Sequence, residues 1–425
     1  MQRGKATKCR AKKTSKEVEM KYLIVIPDGT GDEPMEELEN KTALEVADIP
    51  LINELATKGE IGMVQNIPEG IPPGSDAANL SVMGYDPSVY LTGRSPLEAA
   101  SIGINMSETD VSFRVNISTL YGEGEYENLT IKDHSAGDIT TEEADELLKA
   151  IKAELETDDI KFYTGVSYRH CMIVKNGETT YDLTPPHDAL EQKTGPHMPK
   201  GEGVEFISEM MKKSYEILKD HPINKKRIAE GKNPGNTLWI WGLGKKPRLS
   251  SFQEKYGITG AAISAVDLIK GIAICAGLEA PEVEGATGTV DTDYTAKANA
   301  GIQGYKDGLD FIYMHIEGTD ECSHQGDLEG KLRGLNCIDQ KILKPMLEYL
   351  ESTDEEFSIL IVPDHRTSLK KRTHTSDPVP FVVYRAKGKT PLLVGNPKNR
   401  FSEVSGETGM TFDAGYKLTD YFFGK

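Results

Sequence analysis

Asp320 and His324 stand four residues apart, just beyond an apolar run at residues 311–314 that suits a buried strand. A carboxylate and a neutral imidazole at this spacing reach one divalent ion. Strand ends are polar in any case, so the pair carries little weight alone. It gains weight because the chain repeats the arrangement. Lys21-Tyr-Leu-Ile-Val-Ile-Pro runs into Asp28, and Phe357-Ser-Ile-Leu-Ile-Val-Pro runs into Asp364-His365. His374 immediately precedes another apolar run and supplies a further imidazole. Asp28, Ser75, Asp364 and His365 form one candidate ligand set, and Asp320, His324 and His374 the other. Mixed oxygen and nitrogen donors suit Mn²⁺, Zn²⁺ or Co²⁺, with Mg²⁺ at the more oxygen-rich set. Two such ions about 4 Å apart clamp both ends of an in-line phosphoryl displacement.

These residues need a scaffold that gathers them. Ligand sites of open α/β sheets collect at the C-terminal edge of the strands, so three parallel strands would bring Asp28, Asp320 and Asp364 together. His374, at the start of its own strand, would share that edge. Residues 332–350 between the last two acids read as an amphipathic helix, bent at Pro345. Pro72-Pro-Gly-Ser75-Asp-Ala-Ala-Asn79 forms a tight turn into a helix. Read from the turn alone, Ser75 is that helix's N-cap. The same hydroxyl at a helix N-terminus could instead face a phosphate and act as a nucleophile.

The texture changes over residues 113–244, where charged helices alternate with short strands. Thr140-Thr-Glu-Glu143 is a capping box ahead of an amphipathic helix. Acid-ended strands lie on both sides of this segment, so it reads as a smaller domain inserted into a core made of residues 21–112 and 245–425. Residues 1–20 carry seven basic and two acidic side chains without apolar periodicity. They read as a disordered basic tail, with Met20 as a candidate start.

The chain has 425 residues, 38% of them hydrophobic, enough for real cores. Its net charge of −18 argues against nucleic acid as a partner, and no stretch is long and apolar enough to span a membrane. Five scattered cysteines point to reduced thiols and a cytoplasmic location. A homo-oligomer is left open.

The ordered motifs Ile26-Pro-Asp28-Gly, Pro73-Gly-Ser75-Asp76-Ala-Ala-Asn79, Thr92-Gly-Arg94-Ser-Pro-Leu-Glu98, Asp320-Glu-Cys-Ser-His324, Pro363-Asp364-His365 and Thr373-His374-Thr-Ser-Asp377 resemble those of the archaeal-type cofactor-independent phosphoglycerate mutases, in the alkaline phosphatase superfamily. The resemblance covers the chain after Met20. It implies a doubly wound alkaline-phosphatase-like α/β core with an inserted smaller α/β lid. It also implies interconversion of 3-phosphoglycerate and 2-phosphoglycerate without 2,3-bisphosphoglycerate, through a phosphoserine on Ser75. Two metal ions, Mn²⁺ as first choice, would be held by Asp28, Ser75, Asp364 and His365 and by Asp320, His324 and His374. Arg94, Arg169 and His187 are the implied contacts to the small phosphorylated carboxylate substrate, with His170 as proton carrier.

Glu317 departs from the pattern, since many archaeal members carry lysine there. That form is similar to a bacterial subgroup suspected of homoserine kinase activity, which is the alternative. A phosphatase and a metal-binding pseudo-enzyme are further readings. His315 reads as a satisfied core histidine, and Cys322 as a packed thiol. His134 and His197 read as surface residues. Trp239 and Trp241 are expected between the domains. Asp293 and Lys297 could reach substrate, or be a helix N-terminus with a solvated lysine.

Overall fold

The strands of the chain, as a computed structural model describes them for residues 20–425, begin with β1 (Lys21–Pro27) and β2 (Glu60–Val64). Then come β3 (Val111–Tyr121), β4 (Thr130–Asp133), β5 (Ile160–Tyr163), β6 (Arg169–Val174) and β7 (Thr237–Lys245). The rest are β8 (Gly260–Ile263), β9 (Phe311–Ile316), β10 (Glu356–Ile361), β11 (Arg366–Ser368), β12 (Thr373–Thr375), β13 (Val379–Lys387), β14 (Thr390–Pro391) and β15 (Met410–Phe412). The basic tail, Met20 apart, lies outside the described residues.

One eight-stranded sheet runs in the order β15-β2-β13-β10-β1-β9-β8, with β14 on β13. β1 is its centre, parallel to β10 on one side and to β9 on the other. Alternation along β1 feeds two cores. Leu23 and Val25 enter one cluster with Ile312, Met314, Ile359 and Ile361, while Ile24 and Ile26 enter another with Phe311, Tyr313 and Leu360. Both faces are therefore covered, and the strands read as continuous apolar runs because neither side meets water.

Three local expectations change. Ser75 is the first residue of the helix Ser75–Val82; Gly74 is its N-cap, and no side-chain cap bond forms. The Ser75 hydroxyl is thus free of its own helix. Asp320 is not at the end of a strand: β9 stops at Ile316, and Asp320 and His324 share one face of the helix Gly318–Gln325. The long helix expected to bend at Pro345 carries a π-helical turn, Ile338–Leu343, between Leu328–Cys337 and Lys344–Glu351. The wider turn accommodates a residue that has no N–H to donate and whose ring crowds the preceding turn. It also points Asp339 at the uncapped N-terminus of the helix Pro50–Lys58, where it accepts from Ile52 N at 2.7 Å and Leu51 N at 3.3 Å.

β3 to β7 form a separate antiparallel sheet with its own core, in which Phe113, Val115 and Ile240 meet Leu147, Leu148, Ile207 and Met211 of two helices. Thr140 caps the helix Thr141–Leu155 by accepting from Glu143 N, but the reciprocal half of the box does not form, because the Glu143 carboxylate is taken by Arg227. Trp239 and Trp241 belong to this sheet's own core and do not pack between the units. Trp239 Nε1 donates to Thr184 O at 2.8 Å and Trp241 Nε1 to Asn116 Oδ1 at 2.9 Å.

Candidate active site

The parallel strands β9, β1 and β10 deliver acids to one edge. Asp28 follows β1, Asp364 and His365 follow β10, and Asp320 comes one helical turn after β9. His374 arrives differently from the expected sheet edge. It sits on β12 of the small antiparallel β11–β12 ribbon, directly opposite Thr367.

The side chains converge closely. Donor atoms of Asp320, His365 and His374 lie within 4.8 Å of one another, and so do those of Asp28, His315 and Asp364. His324 Nε2 is 2.9 Å from His374 Nε2 and 3.2 Å from Asp320 Oδ2. His365 stands between the groups, its Nε2 3.4 Å from Asp364 Oδ2 and 3.6 Å from Asp28 Oδ1, its ring 4.1 Å from that of His374. The proximity grouping therefore cuts across the two sets read from the sequence. It also brings in His315, whose Nε2 is 2.9 Å from Asp28 Oδ2. Ser75 Oγ lies 3.1 Å from His365 Nε2.

The electrostatics favour a cation among these acids. Asp28 Oδ1 is buried without a hydrogen-bond partner. Burial, and then the Asp364 and Asp320 charges, push the Asp28 carboxyl well above the usual range. Asp320 goes the other way. Burial opposes its charge, but hydrogen bonds to His324, His374 and Thr367 and the His365 charge outweigh it and hold Asp320 well below the usual range. His324 is pushed up to about 9, chiefly by its hydrogen bond to Asp320. Buried carboxylates that crowd one another, with an orphaned oxygen and converging imidazoles, form a donor set suited to divalent ions.

An outer layer fixes these groups. Asn79 Nδ2 donates to Asp364 Oδ2 at 2.7 Å and to Ser75 O at 2.9 Å, while Tyr313 OH donates to Asn79 Oδ1 at 2.6 Å. Thr367 joins Asp320 to the His365 ring. Lys331, wholly buried, donates to Thr367 O at 3.1 Å and to Asp32 Oδ2 at 2.8 Å.

Beyond the acids opens a cleft of about 510 Å³ between the two units, lined by Ser75, Asp320, His324 and His374 on one side and by Arg169 and His170 on the other. Arg94 and Arg114 also line it, held by carboxylates: Arg94 Nε is 3.0 Å from Asp76 Oδ2, and Arg114 Nε is 3.0 Å from Glu98 Oε2. His187 does not line the cleft. It packs edge-on to Trp241 with ring centroids 5.4 Å apart, and the same indole carries Arg114 at 4.3 Å.

The sequence model described as 2,3-bisphosphoglycerate-independent phosphoglycerate mutase matches residues 56–224. The enzyme of that name from Methanosarcina acetivorans is 46% identical over 374 residues, which is 88% of this chain and 92% of that one. This chain belongs to that family. The Methanosarcina barkeri member is likewise 46% identical, over 92% of this chain and 96% of its own. Among solved structures, the cofactor-independent phosphoglycerate mutase from Thermoplasma acidophilum superposes with a TM-score of 0.66 at 26% identity, over 95% of this chain and 99% of that one. A Pyrococcus horikoshii protein gives 0.78 at 29% identity, over 96% and 97%.

Sequence reasoning missed Arg114, Glu98's contact with it, and the Lys331–Asp32 pair. Arg114 sits inside an apolar strand, so only its charge at an otherwise buried position could have flagged it. Lys297 is not solvated: it is 1% exposed, and burial pulls its ammonium down to about 8. Asp293 caps the helix Tyr294–Lys306 by accepting from Ala296 N at 2.8 Å.

Proposed function

We propose that the chain interconverts 3-phosphoglycerate and 2-phosphoglycerate without 2,3-bisphosphoglycerate, through a phosphoserine on Ser75. The observation that carries this reading is the place of Ser75: a hydroxyl not used as a cap, beside His365, at the junction of the acid cluster and the arginine-lined cleft. Free N–H groups at the start of its helix favour a phosphate there. In the first half-reaction Ser75 Oγ gives up its proton and bonds to phosphorus, the bond from phosphorus to the substrate's 3-oxygen breaks, and that oxygen takes up a proton, so none is gained or lost overall. The glycerate then turns in place. Its 2-hydroxyl attacks the phosphoserine and loses a proton as the Oγ–phosphorus bond breaks, and Oγ regains one to restore the serine hydroxyl. Arg94, Arg114 and Arg169 supply the charge that holds phosphate and carboxylate.

Asp28, Ser75, Asp364 and His365, with Asp320, His324 and His374, would hold two divalent ions, Mn²⁺ as first choice and Zn²⁺, Co²⁺ or Mg²⁺ as alternatives. Bound there, such ions supply Lewis acidity to the serine hydroxyl and the phosphate oxygens.

Water must stay out between the halves, or the phosphoserine hydrolyses. Residues 113–244 serve as a lid, hinged near Phe113 and Gly242. In support, the β3–β7 register slips between Ser112 and Arg114, opposite Gly242 at φ +58°, a bulge that bends the two strands leading to the core. A cytoplasmic location agrees with the four free cysteines among the described residues. The homoserine kinase alternative is not favoured, since relatives 42–46% identical over most of the chain bear the mutase name.

Incubation of purified protein with 3-phosphoglycerate and Mn²⁺, followed by phosphorus NMR, tests the reading. A 2-phosphoglycerate signal without added bisphosphoglycerate is expected; phosphorylation of homoserine from ATP with no such signal would remove it.

A further inference from the structure

His170 is 6% exposed and lines the cleft, yet its Nε2 has no hydrogen-bond partner. Its other nitrogen is committed: Nδ1 accepts from the backbone N–H of Gly165 at 3.2 Å. A nitrogen that accepts a backbone N–H carries a lone pair and not a proton, so the single proton of the neutral ring lies on Nε2. The imidazolium is disfavoured by the same contact, because a proton on Nδ1 would face the Gly165 N–H. Ser95, 1% exposed, also lines the cleft beside Arg94, but its hydroxyl is engaged with the Cys171 thiol. A buried polar atom left unpaired is rare and costly, and an unpaired Nε2 on a residue that lines a cavity marks a place built for a ligand oxygen.

We propose that His170 is a fixed neutral donor and not a proton carrier, its Nε2–H serving an oxygen of the glycerate moiety. This rests on the mutase reading and replaces the proton-carrying role that the family resemblance implied. A neutral donor aimed at an oxygen that gains negative charge as its bond to phosphorus breaks stabilises that charge and exchanges no proton. Burial supports the neutral form, pulling the imidazole down to about 4; the charges acting on it, Asp145 and Lys152, oppose one another. Across the cleft stand Glu98 and Arg94, while Arg114 lies on the neighbouring strand β3 of the sheet that carries His170.

Two measurements separate this from the alternatives. Nitrogen-15 NMR of the wild-type imidazoles between pH 5.5 and 8.5 should show His170 protonated at Nε2 only, without titration. A ring protonated at Nδ1, or one that titrates in that range, would overturn the assignment, and this readout does not depend on whether the protein is a mutase. In the kinetic arm His170→Gln, whose amide can place an N–H near the Nε2 position, should keep kcat/KM within about tenfold of wild type with an unshifted pH profile. His170→Ala should lose about 100-fold or more, the scale for deleting one donor to a developing oxyanion. Equal losses in the two variants, each folded by circular dichroism, would mean that the imidazole's proton transfer is needed and the proposal is wrong. Absence of mutase activity in wild type would instead remove the reading on which the kinetic arm rests.

Discussion

Arg114 Nε on the second sheet lies 3.0 Å from Glu98 Oε2 on the core, so one ion pair crosses the cleft at the level of the arginine cluster. The guanidinium also stacks over Trp241 at 4.3 Å. Burial raises the Glu98 carboxyl, while Arg114, Arg94 and Arg169 all draw it down, so this acid answers to three cations at once. A planar guanidinium fixed by a carboxylate and an indole is preorganised to present its remaining N–H groups to an anion.

Replacing Arg114 with alanine should therefore raise KM about tenfold or more while the fold persists, a loss of about 1–2 kcal/mol for a partly exposed charged contact. Steady-state kinetics with both phosphoglycerates decide the matter. An unchanged KM and kcat would make the pair a structural tie only.

His324→Ala should lower the bound metal content and abolish turnover. The imidazole is partly exposed on its own helix, so the fold should remain. Elemental analysis beside an activity assay, with and without chelator, gives the comparison. Wild-type metal occupancy together with wild-type activity would take His324 out of the ligand set.

Lys331 and Asp32 form an ion pair in which both side chains are wholly buried. Lys331→Met leaves Asp32 uncompensated and should destabilise the protein by about 3–5 kcal/mol, the range for breaking one side of such a pair. Because Lys331 also holds Thr367 O, and Thr367 holds Asp320, metal affinity should fall with it. Denaturant unfolding of the two proteins measures the first effect. A loss below 1 kcal/mol would show that the pair is well replaced by an apolar chain.

Much of the fold and of the acid cluster is legible in the sequence. β1, β9 and β10 are buried on both faces, so each reads as an unbroken apolar run, and the acid after each run marks the edge where function collects. What escaped were relationships made by tertiary contact. Ser75 reads as a cap because Ser is a good cap, and only the extended Gly74 before it shows that the helix begins one residue earlier than its cap chemistry suggests. His315 is the satisfied core histidine it reads as, with Nδ1 3.2 Å from Ser264 Oγ, but nothing local announces that its other partner, at 2.9 Å, is Asp28. Trp239 and Trp241 alternate on β7 whichever surface they cover, so periodicity could not say which body they belong to. His187 matched a family word, and its edge-on contact with Trp241, made from the short turn Pro186–Ala189, is one that no periodicity encodes.

Ser75 is the residue on which phosphoryl transfer depends. Protein mixed with 3-phosphoglycerate and Mn²⁺, quenched in acid and digested, should yield a peptide with one phosphate on Ser75 by mass spectrometry. Ser75→Ala should bind substrate, lack that phosphate and transfer none, because only the acceptor oxygen has been removed. A Ser75→Ala protein that still converts 3-phosphoglycerate to 2-phosphoglycerate would contradict the account.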